Sequence, residues 1–115
     1  MIKFTDNRFP RPQPVVAEIS RYRNGQLGIV LKTEEGDLWS VPTAALAHVE
    51  LADGCVLVKD YSENSGMPAL LIRAGVIEPE VLDYVPSGFV QLAVHALTPA
   101  AKALAPARDD AMRAA

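Results

Sequence analysis

The chain reads as a single α+β domain, with an antiparallel meander sheet of four to six strands and one short helix packed on one face. Three observations lead there. Apolar residues recur with period two in several short runs, turn pairs such as Asn24-Gly25 and Asp53-Gly54 punctuate them, and only the stretch from Met67 to Gly75 carries helical spacing. The 115 residues suffice for one hydrophobic core, and a composition 50% apolar and 22% charged is that of a folded chain. No apolar run approaches the ~20 residues of a membrane span, and residues 1–14 lack the apolar centre of a signal peptide, so the expected compartment is the cytoplasm.

Taken in order, Pro10, Pro12 and Pro14 fix φ and remove amide donors, which predicts an extended Pro-rich arm over residues 1–14. The domain proper is expected over residues 15–97. Val15, Ala17 and Ile19 alternate with Val16, Glu18 and Ser20, Asn24-Gly25 offers a two-residue hairpin turn, and Leu27, Ile29 and Leu31 share one face of the next run. Leu38 to Val41 reads as a third strand ended by Pro42, Thr43 to Leu51 as irregular, and the Val-rich run Cys55 to Lys59 as a buried central strand. In the helix, Met67, Leu70, Leu71 and Ala74 form one apolar stripe, with Asn64 or Ser65 as cap and Gly75 past its end. Val76 and Ile77 add a brief strand. Phe89 to Leu97 is a long β-prone run whose better apolar face is Val90, Leu92, Val94 and Ala96. Residues 98–115 form an Ala-rich tail, weakly ordered or helical.

Charge divides the chain. Residues 1–23 carry five cations against two carboxylates, whereas residues 34–83 carry ten carboxylates against two cations, a net of −8. Such a centre repels phosphate, so direct nucleic-acid binding is not expected, and an acidic surface able to steer a basic partner is. Chemistry-bearing motifs are scarce. Asp60, Ser62, Asn64 and Gly66 alternate as in the opening of a calcium loop, but that loop needs its glycine where Ser65 stands and its bidentate carboxylate where Leu71 stands. Short polar side chains between a strand and a helix cap backbone amides instead. His48 and His95 sit at no metal-ligand spacing and read as surface or strand residues; Cys55, the lone cysteine, reads as a small core residue. No phosphate loop, nucleophile elbow or zinc motif occurs, and neither a catalytic residue, a metal nor a cofactor is expected.

Four segments carry a likeness: Trp39-Ser40-Val41-Pro42-Thr43, Val58 to Met67, Ala74 to Pro79, and Pro86 to Val90. Together they resemble an uncharacterised family of small proteins carried by plasmids, phages and other mobile elements of bacteria, most specifically in Lys59-Asp60-Tyr61-Ser62-Glu63-Asn64-x-Gly66-Met67. The family pattern has an acidic residue where this chain has Ser65. The resemblance implies a genetic context and no reaction. Small size, the absence of catalytic motifs, the acidic centre and that genetic context together lead to the expectation of a small non-enzymatic interaction module, an anti-CRISPR-like inhibitor or modulator of a host defence protein. The expected partner is a host or element-encoded protein, a basic nucleic-acid-binding one included. The partner-facing residues are expected to be Glu34, Glu35, Asp37, Asp60, Tyr61, Glu63 and Asn64. The alternative is a small enzyme or ligand-binding domain using the Asp60–Asn64 loop. Exposed edge strands also permit a homodimer.

Overall fold

Period-two alternation builds the first sheet from the start of the chain. In the computed structural model, which describes residues 1–107, β1 (Ile2–Asp6), β2 (Gln13–Arg21), β3 (Leu27–Thr33) and β4 (Leu38–Ser40) form an antiparallel meander in that order. The register sets Ile2 opposite Ala17, Ala17 opposite Leu31 and Ile19 opposite Ile29, so these side chains share the inward face. Of the extended arm expected over residues 1–14, Ile2–Asp6 and the Gln13-Pro14 pair are therefore sheet. Ile2 and Phe4 pack against the core, Pro14 lies in β2 opposite Thr5, and residues 7–12 connect the two strands. Asn24-Gly25 belongs to a three-residue turn, not the expected two-residue one. The Tyr22 amide donates to the Gln26 carbonyl at 2.8 Å, and Gly25 adopts φ 88°. That combination is a turn closed by a left-handed glycine, which costs a glycine little and a side chain more.

Pro42 ends pairing with the first sheet, and the chain crosses to a second. Here β5 (Thr43–Ala44), β6 (Cys55–Val58), β7 (Asp83–Ser87) and β8 (Val90–Ala96) lie in the order β5-β6-β8-β7. The class is α+β, as the patterning predicts, but eight strands in two sheets replace the single sheet of four to six. Thr43 joins the sheets: its buried Oγ1 accepts from the Ile29 amide at 3.0 Å and bonds the Tyr22 hydroxyl at 3.1 Å. Val56 and Val58 face the first sheet and α1 (Met67–Arg73), which buries Met67, Leu70 and Leu71. Cys55 and Leu57 face the other way, into a second core with Leu92 and Val94. Leu46 and Leu51, from the loop following β5, cover that core together with Tyr61. Each fully buried Val or Leu contributes roughly 1.5–3 kcal/mol of transfer free energy.

One local reading changes and two are made specific. The cap of α1 is Gly66, at φ 80°, rather than Asn64 or Ser65. Asp60 braces it from six residues back by accepting the Gly66 amide at 2.8 Å. His95 is buried to 1% exposure because both faces of β8 are covered. The tail expected from residue 98 begins as a docked turn of helix, α2 (Pro99–Lys102), with the Thr98 hydroxyl accepting from the Ala101 amide and donating to the Gly75 carbonyl. Residues 108–115 of that expected tail lie outside the described residues. Among the described residues no helix is long and apolar enough to cross a membrane.

Candidate protein-interaction site

Period two places Ile2, Phe4 and Asp6 on one face of β1, so the third position carries a carboxylate to the end of the core. Asp6 is fully buried, and its oxygens are saturated from one neighbouring segment and one distant one. Oδ1 accepts from the Arg8 amide at 3.1 Å and from Arg8 Nε at 2.9 Å; Oδ2 accepts from the second guanidinium nitrogen at 2.7 Å and from Trp39 Nε1 at 3.0 Å. Burial alone pushes the Asp6 carboxyl up, but the hydrogen bonds from Arg8 and Trp39 outweigh it, and the group sits below the usual carboxylate value. The remaining Arg8 nitrogen donates to the carbonyls of Glu63 and Ser65 at 2.9 and 3.2 Å. One guanidinium therefore ties the β1–β2 connection to the loop before α1, while the same carboxylate holds the indole of β4.

The loop is braced at further points. Ser40 donates to Asn64 Oδ1 at 2.8 Å, Asp60 holds the Gly66 amide, and Tyr61 packs on the second core. Between those anchors Ser62 is held at φ 52°, a left-handed backbone that costs a non-glycine residue on the order of 1 kcal/mol. The brace leaves two aromatic rings outside. Phe9 is 43% and Trp39 36% exposed, and their rings meet edge to face, with centroids 6.2 Å apart and planes at 80°. Arg8 lies over the Phe9 ring at 5.1 Å. Arg8, Phe9, Trp39, Ser40 and Glu63 line a shallow cleft of about 260 Å³.

The seven residues expected to face a partner fall into three groups. Glu34, Glu35 and Asp37 are exposed on the β3–β4 turn that leads directly into Leu38 and Trp39. Glu63 lines the cleft. Asp60 and Asn64 are committed to the internal bonds just described, and Tyr61 points its ring to the second core, so these three support the surface from behind. Asp6, Arg8 and Phe9, at the centre of the cluster, were not among the seven. The usable signal was the alternation Ile2, Phe4, Asp6, which a Pro-rich arm reading obscures.

Other polar groups are poorly placed for chemistry. A larger groove of about 390 Å³ lies between the β2–β3 turn and residues 47–55, but its Gln26 amide is spent on Leu46 and Val49 and its Arg21 on the carbonyls of Gly25 and Pro106. Cys55, on its wall, has its thiol pushed up by burial and by the Asp53 carboxylate, the reverse of what a nucleophile needs. His95 Nδ1 donates to the Glu78 carbonyl at 2.9 Å, and Nε2 is buried without a partner among the described residues. Among those residues no three His, Cys, Asp or Glu side chains gather as metal ligands. No known protein family, curated protein or solved structure matches the chain.

Proposed function

We propose that this chain is a small non-enzymatic protein-interaction module of a mobile genetic element, an anti-CRISPR-like inhibitor or modulator of a host defence protein. Its docking surface is the Phe9–Trp39 face with the carboxylates around it. The observation that carries the reading is that pair of exposed rings, held in place by the buried Asp6–Arg8 clamp. Rigid aromatic anchors inside a polar rim concentrate binding energy, because their burial sacrifices little side-chain freedom. The likeness of Lys59 to Met67 to a mobile-element family supports the genetic setting, and the net −8 of residues 34–83 supports a basic partner, such as a nucleic-acid-handling subunit of a defence complex.

The test is association kinetics with purified basic subunits of defence nucleases, measured at low and high salt. A triple variant, Glu34→Lys, Glu35→Lys and Asp37→Lys, lies on an exposed turn and is expected to leave the melting temperature unchanged. It is expected to slow association at least about tenfold at low salt. An association rate indifferent both to salt and to the triple variant refutes the proposal.

A further inference from the structure

Two ring planes at 80° make a corner lined by aromatic carbon, whose faces are electron-rich, and Arg8 already lies over the Phe9 ring. The charge inside that corner follows from its neighbours. Arg8 brings a guanidinium, but Asp6 cancels it at 2.7 Å, and each of its side-chain nitrogens already donates to Asp6 or to the carbonyls of Glu63 and Ser65. Glu63, exposed on the cleft wall, is then the uncompensated charge, and Glu34, Glu35 and Asp37 extend the same sign along the turn into Trp39. At about 260 Å³ the cleft falls below the ~300 Å³ at which sites for drug-sized molecules begin. It has the scale of one side chain.

Resting on the interaction reading above, we propose that this corner receives a single cationic side chain, arginine or lysine, from a basic segment of the partner protein, its charge set against the exposed parts of the Phe9 and Trp39 rings and beside Glu63. Negative ring faces and a carboxylate both favour a cation. Arginine fits better than lysine, because its flat, weakly hydrated guanidinium stacks on a ring with less loss of solvation. An apolar side chain would gain the rings and leave Glu63 desolvated without a partner.

Trp39 is the only tryptophan, so its emission reports on the corner directly. The full chain is titrated with a peptide of alternating arginine and glycine, with its lysine counterpart, and with a counterpart in which neutral citrulline replaces arginine, and affinities are confirmed by calorimetry. The expected result is a saturable change in Trp39 emission with arginine, a weaker one with lysine and none with citrulline. Each checked for unchanged melting, Phe9→Ala is expected to weaken arginine-peptide binding by about 2- to 30-fold, the span of a single cation–π contact, and Glu63→Gln to weaken it by about 2- to 5-fold, the span of an exposed ion pair. Phe89→Ser, at the fully exposed tip of the β7–β8 hairpin, is expected to change nothing. Equal binding of the citrulline peptide, or an arginine response that survives both Phe9→Ala and Glu63→Gln, overturns the proposal. Should the peptides fail while a basic defence protein still binds and is lost on the Glu34, Glu35 and Asp37 reversal, the corner assignment falls and the interaction reading stands.

Discussion

Replacing Asp6 by Asn tests the clamp on which the whole surface depends. The substitution keeps the volume but removes the charge, and it puts an amide NH₂ among four donors that now meet a saturated carboxylate. Breaking one side of a buried pair costs about 3–5 kcal/mol, because the surviving charge stays desolvated. Arg8 keeps 10% of its side chain in solvent and Asp6 keeps none, which places the expected loss near the lower end, about 3 kcal/mol. For a chain of this size such a loss lowers the melting temperature by about 10–20 °C. Urea unfolding followed by Trp39 emission measures it, and emission also reports whether the indole moves once its acceptor is weakened. Adding Arg8→Met to Asp6→Asn removes the orphaned charge but also the guanidinium's bonds to the Glu63 and Ser65 carbonyls, so the double variant should cost less than the sum of the two single variants. A loss below about 1 kcal/mol, the ordinary value of an exposed ion pair, would refute the view that Asp6–Arg8 frames the site.

Two other outcomes follow from the same geometry. Because Asp6 ionises more readily in the folded chain than in the unfolded one, its contribution is complete above the unfolded carboxyl value of about 4 and is lost as pH falls through the lower folded value. Stability measured by denaturant at falling pH should therefore drop more steeply below about pH 4 in the parent chain than in Asp6→Asn, and parallel curves would contradict this. At Gly28 a Cβ would stand 2.6 Å from Tyr22 Cε2, and that ring is fixed by its hydroxyl bonds to Thr43. Gly28→Ala is expected to cost on the order of 1–3 kcal/mol in thermal unfolding, and a change within about 0.5 kcal/mol would show that Tyr22 moves freely.

The strongly periodic elements were legible because a single local rule governs each. The β2–β3 pair, the buried run Cys55 to Val58 and the helix from Met67 all lie where alternation or helical spacing places them. Strand β7 was not legible. Asp83, Pro86 and Ser87 are weak strand formers, and they pair only because β8 offers an unoccupied edge. Tyr61 and Asn64 were picked out for their chemistry and turn out to hold the loop in place, since sequence shows which groups are polar but not which are already satisfied.

Alternation, turn glycines and composition, all properties of neighbouring residues, determined by themselves an α+β chain with antiparallel pairing and an acidic middle. The division into two sheets, the burial of Asp6 and His95, and the meeting of Phe9 with Trp39 were decided only in the tertiary structure. Each depends on contacts between segments distant along the chain. Asp6 and Trp39 are 33 residues apart, and Arg8 and Ser65 are 57. No local rule specifies such pairings, because the desolvation and hydrogen bonds that stabilise them come into being only when the segments pack together.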